Sequence, residues 1–280
     1  MRNMILILLL IGHFETVWTQ NKTTNVDRVY QLNRKLESSI SLGLFTVSSI
    51  GLFVLNNKTP LDYSQIVSLN KKDIWTIDRK AVEQTYSSTT YDKSTKASDW
   101  GLNLSVFLPG LLILDKKIKN DMSNILLLYL ETQAINISFY TYGGVMFTNR
   151  IRPIAYYPEA SQDGKFSNHG IKDSFFSGHV STAATASFFM AKVYSDYHPE
   201  IKRMKWLLYA SALVPPAYVG YHRYKALKHF PTDIFTGIAL GVATGILVPE
   251  LHKIQFGKKQ NLSILPFTGK MTGMSIQFKF

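Results

Sequence analysis

Between Leu102 and Val248 the chain returns repeatedly to apolar runs: Leu102 to Leu114, Ile125 to Phe147, Val180 to Tyr194, Trp206 to Tyr221 and Ile234 to Val248. Their Ala, Gly and Ser content favours helices whose backbones approach one another closely. With a further run at Ser41 to Leu55, the pattern predicts an all-α bundle of about six core helices. At 280 residues the chain is long enough for one catalytic domain of ordinary size, and no internal repeat is visible.

The ends read differently. Arg2, an apolar stretch from Met4 to Ile11 and the segment Val17-Trp18-Thr19 predict a secretory signal over residues 1–19. Residues 20–99 are a polar lead-in followed by a charged, Ser- and Thr-rich segment from Lys58 to Asp99, which reads as a hairpin or surface excursion. The catalytic bundle is expected over 100–256. At 257–280, Leu262 to Pro266 and Ser275 to Phe280 alternate apolar with polar residues across a Gly-containing turn, so the pattern predicts a short C-terminal β-hairpin.

Most of the apolar runs fall short of the roughly 20 residues that cross a hydrocarbon core, and only Ile125 to Phe147 is comfortably long. After a cleaved signal, three spanning helices before Arg152 would place the residues discussed below in the cytoplasm. The reading is therefore of an exported bundle, associated with or integral to a bacterial envelope membrane and facing outward, with one of the first three helices not crossing. Lys and Arg number 31 against 19 acids, a net charge of +12 that suits an anionic partner. No nucleic-acid motif accompanies it, so a phosphorylated lipid or an anionic membrane face is the expected partner rather than nucleic acid. There is no cysteine, which excludes disulfides, thiolate metal sites and cysteine nucleophiles.

Three short segments carry the chemistry. Tyr221 to Asp233 reads YHRYKALKHFPTD, with Arg223, His229 six residues on and Asp233 four beyond, at the entrance to an apolar helix. Asn149 to Pro153 (NRIRP) supplies Arg152, and Ser174 to His179 (SFFSGH) leads into the helix VSTAATASFF. Arg152 and Arg223 offer planar forks of donors matched to phosphate. Ser177 can cap the following helix while the Gly178 and His179 amides point at an anion, and His179 can protonate a leaving oxygen. Asp233 is close enough to His229, through the turn at Phe230-Pro231, to hold one ring nitrogen and leave the other free to attack phosphorus. Pro231 suits the first helical position and Asp233 the first turn.

In this order the segments resemble the signature of the type 2 phosphatidic acid phosphatase (PAP2) and haloperoxidase superfamily. The family pattern is a Lys with Arg-Pro seven residues on, then Pro-Ser-Gly-His, then Ser-Arg with a His six and an Asp ten residues after the Arg. The chain matches it at Arg152-Pro153, Ser177-Gly178-His179, Arg223, His229 and Asp233. It departs at Val145 for the Lys, Phe176 for the Pro and His222 for the Ser. Arg150 is a candidate substitute for the absent Lys.

The resemblance implies a PAP2-like bundle and a phosphatase that uses neither metal nor cofactor. It implies His229 as nucleophile oriented by Asp233, His179 as acid and then base, and Arg152, Ser177, Gly178 and Arg223 as phosphate ligands. It points to a phosphomonoester or diphosphate on a lipid of the phosphatidate, undecaprenyl diphosphate or lipid A type. The competing readings are a vanadium haloperoxidase, since vanadate mimics phosphate, and an envelope protein whose site has decayed through the loss at Val145.

Overall fold

The computed structural model describes residues 28–56, 58, 59, 61–162 and 170–253, together with the backbone of 262–267 and 273–278. The signal expected over 1–19 lies outside the described residues. The principal helices are α1 (Arg34–Asn56), α2 (Ser88–Phe107), α3 (Met122–Ser138), α4 (Gly178–Tyr197), α5 (Lys205–Ala212), α6 (Val214–Lys225) and α7 (Pro231–Leu251). Leu108–Leu114 extends α2 as a 3-10 helix, and Phe139–Val145 extends α3 as a π-helix.

At the centre α4 lies against α7, and the sequence explains why they can meet. Gly237, Gly241 and Gly245 recur every fourth residue and so share one face of α7. A β-carbon at Gly237 would sit 2.8 Å from the Ser177 carbonyl oxygen, and one at Gly245 2.7 Å from that of Thr185. At Gly241 the approach to the Ser181 carbonyl is closer still. On the facing side Ala183, Ala184 and Thr185 are buried. Aromatic and branched residues fill the remaining space beside the pair, with Ile125 and Leu128 of α3 packing with Phe189 and Val193 of α4 and Val248 of α7.

The segment 58–99, expected as a surface excursion, is part of the packed structure. It forms the short helices Tyr63–Val67 and Thr76–Arg79 before entering α2 at Ser87, whose Oγ accepts from Thr90 N at 3.3 Å. Ile74, Ala81 and Val82 bury against Phe230, and Leu61 and Ile66 join Ile154, Tyr157 and Leu227 in a second cluster. Leu227 has φ 53, a left-handed conformation unfavourable for a side chain with a β-carbon. Its side chain is buried in that second cluster, which holds the turn leading to His229 in place. The apolar positions of this segment are too widely spaced among charges to show as a periodic run.

A second correction concerns the C-terminus. The fold is helical, 76% helix, and the hairpin expected there is not supported as a component of it. Among the described residues, the segments 262–267 and 273–278 pair with each other. Alternation suffices to draw two such segments together, but a two-stranded ribbon has no second layer to bury a face against and is marginal by itself. Residues 254–261 and 268–272 lie outside the described residues.

Among the described residues, three helical stretches are long and apolar enough to cross a membrane: Arg34–Leu55, Ser88–Leu114 and Pro231–Leu251. Large apolar side chains stand exposed along them, among them Ile50, Phe53, Trp100, Leu104, Phe107 and Phe235. Contiguous apolar surface on this scale suits a hydrocarbon surrounding better than water. The run expected to be the best span, Ile125 to Phe147, is not among the three. It changes to π-helical geometry after Ser138, and α3 buries Asn124, Glu131, Thr132, Gln133 and Asn136 inside the bundle.

The glycine face makes a quantitative demand. Gly241→Val should destabilise the protein by about 1–3 kcal/mol or more through overpacking, read as a lowered Tm in detergent. Gly43→Ala, where a β-carbon meets nothing within 4 Å, should leave Tm unchanged or raise it.

Candidate active site

The α4–α7 contact sets the N-termini of the two helices side by side, with Ser177 N donating to the Asp233 carbonyl at 3.1 Å. Ser177 is the N-cap residue of α4, yet its hydroxyl makes no capping hydrogen bond. The expected cap is therefore absent, and Ser177 Oγ is buried without a hydrogen-bond partner. Gly178 is required for a further reason, since a β-carbon there would meet the Tyr140 ring at 2.8 Å.

His229 sits in the turn before α7 and is 2% exposed. Its Nδ1 is 2.7 Å from the Ser174 carbonyl oxygen and 3.9 Å from Asp233 Oδ2. The ring is thus held by a main-chain acceptor, and Asp233 does not hydrogen-bond to it as expected. Asp233 acts one step back. Its Oδ2 accepts from Ser174 Oγ at 2.6 Å and from Phe230 N at 2.8 Å, fixing both the acceptor and the turn that carries the imidazole. Pro231 opens α7 and Asp233 lies in its first turn, as the sequence indicates. With Nδ1 donating to a carbonyl, the lone pair lies on Nε2, 3.4 Å from Arg223 Nη2. Burial and the charges of Arg223 and Arg152 hold His229 well below the usual imidazole range, so the ring is neutral at neutral pH.

Arg223, on the last turn of α6, is 4% exposed, and its Nε has no partner. Arg152 Nε is likewise buried and unpartnered, while its Nη2 is 3.4 Å from the Asp173 carbonyl. Three of the four residues expected to bind phosphate therefore carry a buried polar atom without a protein partner. Such atoms are few in a folded protein, and each calls for an explanation. Two are guanidinium donors and the third a hydroxyl, a set that suits an anion.

His179 is half-buried, and its Nε2 lies 3.2 Å from Asp99 Oδ1 on α2, an oxygen that is also 3.8 Å from Arg223 Nη1. Burial and the Arg223 charge push the His179 imidazole down to about 4, against the pull of Asp99. Asp99 was not picked out from the sequence, because it lies 80 residues upstream of His179 in the segment expected to be solvated. Asp78 was missed for the same reason. It is fully buried and accepts from Thr232 N at 3.0 Å, Thr232 Oγ1 at 2.6 Å and Arg150 Nη2 at 2.5 Å.

Arg150 is not the substitute for the absent Lys. Its guanidinium is shared between Asp78 and Asp233 and stacks over Phe230, 4.5 Å from the ring centroid. Val145 is fully buried, and its carbonyl accepts from Lys58 Nζ at 2.5 Å, an ammonium itself paired with Asp173 at 3.0 Å. Among the described residues, the only cluster with metal-ligand spacing lies elsewhere, at Glu37, Glu131 and His252.

Residues 125–256 match the family model of the PAP2 superfamily. A solved structure similar to this chain is that of a transmembrane PAP2-type phosphatidylglycerolphosphate phosphatase from Bacillus subtilis. It is 20% identical, with 78% of this chain and 98% of that one covered and a TM-score of 0.42. No curated protein matches significantly in sequence. The family match supports a phosphoric ester hydrolase of the PAP2 type.

If Arg150 serves only to neutralise buried carboxylates, Arg150→Met should cost about 3 kcal/mol of stability by leaving Asp78 and Asp233 unpaired. Thermal unfolding measures this. A raised KM at unchanged Tm would instead mark Arg150 as a substrate contact.

Proposed function

We propose that the chain hydrolyses a phosphomonoester or diphosphate carried on a lipid, through a phosphohistidine on His229. The observation that carries this reading is the trio of buried, unpartnered atoms at Arg152 Nε, Ser177 Oγ and Arg223 Nε, together with a neutral imidazole whose free nitrogen faces Arg223. Phosphoryl transfer needs stabilisation of charge on the equatorial oxygens, and guanidinium forks with the α4 N-terminus supply it. These donors also speak against a decayed site, since buried donors with no ligand to meet are only a cost.

In the first step His229 Nε2 forms a bond to phosphorus as the bond to the leaving oxygen breaks, and His179 gives that oxygen a proton. In the second step His179 takes a proton from water, the water oxygen attacks phosphorus, and His229 leaves as the neutral imidazole. Free of ligand, His179 is held neutral by burial and Arg223; a bound phosphate anion offsets the Arg223 charge and restores its affinity for the proton. Asp99 orients this ring. Asp233, through Ser174, orients the other.

The lipid preference follows from the exposed apolar surface of α1, α2 and α7. Export to a bacterial envelope, with the site facing outward, remains part of the proposal. The cation absent at Val145 is supplied by Lys228, which directly precedes His229 and lies with Nζ 5.3 Å from the Tyr91 ring centroid. Burial and the Arg223 and Arg152 charges push Lys228 down to about 7.

Phosphate release from lipid phosphates in mixed micelles, compared with a soluble aryl phosphate, tests the reading. His229→Ala should lower the rate by about 10⁴-fold or more, and His179→Ala by about 10²- to 10⁴-fold. A His229→Ala protein that keeps its rate, or wild type that releases no phosphate from any of these esters, would sink the proposal. For Lys228 the sign is set by its charge. The ammonium is present below pH 7 and is lost as pH rises through about 7, so wild-type KM should climb across that range. Lys228→Met should show a raised KM that no longer varies there.

A further inference from the structure

At the opposite end of α7 from His229, about 30 Å away at 1.5 Å per helical residue, three buried ligand-type side chains meet. Glu37 comes from the first turn of α1, Glu131 from α3 and His252 from the C-cap of α7. His252 Nε2 is 3.5 Å from Glu37 Oε1 and 3.4 Å from Glu131 Oε2, and all three ligand atoms lie within 4.8 Å of one another. Ligands bound tetrahedrally to zinc at about 2.1 Å stand about 3.4 Å apart. These spacings are therefore close to those of a coordination sphere, and longer than charge-assisted hydrogen bonds.

The imidazole is oriented as a ligand would be. His252 Nδ1 is 2.9 Å from the Val248 carbonyl and donates to it, which leaves Nε2 directed at the two carboxylates. Glu37 and Glu131 are 7% and 5% exposed, and Glu131 Oε2 has no hydrogen-bond partner. Among the described residues, neither carboxylate pairs with a Lys or Arg.

Two carboxylates, a neutral imidazole and a divalent cation sum to zero, so a cation of that charge is compatible with the burial of the cluster. The neighbouring ionic cluster needs no such help, because Lys192 and Lys253 balance Asp196 and Glu250. We propose that Glu37, Glu131 and His252 bind a divalent cation of the zinc type, which fastens the start of α1 and the middle of α3 to the end of α7. The mixed imidazole and carboxylate set favours zinc over magnesium or calcium, which take oxygen ligands. Three protein ligands leave the fourth position to water. The site is structural and stands apart from the phosphate chemistry.

The test uses the full chain in detergent, stripped with EDTA, exchanged into buffer and titrated with Zn²⁺ against a chromophoric chelator. We expect one zinc per chain and a rise in Tm on binding. Glu131→Gln, which keeps the side-chain volume, and His252→Ala should each weaken zinc by at least about 100-fold, more than loss of an outer-shell partner does, and abolish the Tm rise. Absence of zinc uptake by the folded wild type, or equal affinity in wild type and Glu131→Gln, would overturn the proposal.

Discussion

The close crossing of α4 and α7 is the constraint on which the rest of the structure depends. With glycine at 237, 241 and 245, main chain meets main chain, and Ser177, Ser181 and Thr185 carbonyls occupy space that any β-carbon would need. Because both helices begin at the same level, their N-terminal residues share one wall. Ser177 and His179 come from one helix, His229 and Asp233 from the turn and first residues of the other. Arg223, on the last turn of α6, is brought alongside by the short link from α6 to α7. Side chains separated by some fifty residues of sequence therefore face one another without any loop having to be folded into place.

Charge is arranged in two tiers around that wall. Deep in the protein, Asp78 and Asp233 are neutralised by Arg150 and hydrogen-bonded by Thr232, Ser174 and the Phe230 amide. Nearer the imidazoles, Arg152 and Arg223 lack a comparable set of anionic partners; Asp99, at 3.8 Å from Arg223, is shared with His179. The first tier is a closed and satisfied network, and it serves as the frame. The second is left with donors to spare, and such an imbalance is what an anionic substrate corrects.

The sequence made the helices, the three motifs and the opening of α7 legible, because each rests on local signals: apolar runs, Pro231 at the first helical position, Asp233 in the first turn. What it concealed was mostly non-local. Asp78 and Asp99 sit among charges in a segment with no periodic apolar face, so nothing near them announces the burial of Asp78 or the contact of Asp99 with His179. Arg150, two residues from Arg152, reads in the sequence as a substitute for the absent Lys, yet its guanidinium is taken up by Asp78 and Asp233. The role of Asp233 was misjudged by one bond, since spacing tells that a carboxylate is near His229 but not which of two neighbours it prefers. At the C-terminus, alternation predicts strands, but alternation is a local signal and does not make a segment part of the helical fold.

The acceptor that orients His229 belongs to the peptide backbone of Ser174. No codon change can delete a carbonyl, so the angle of the imidazole is shielded from point mutation more fully than a side-chain partner would allow. Drift at position 174 or 233 can loosen the hinge without removing it. A lineage carrying this arrangement could pass through weakened intermediates that retain a correctly tautomerised ring, which leaves room for the neighbouring positions to vary.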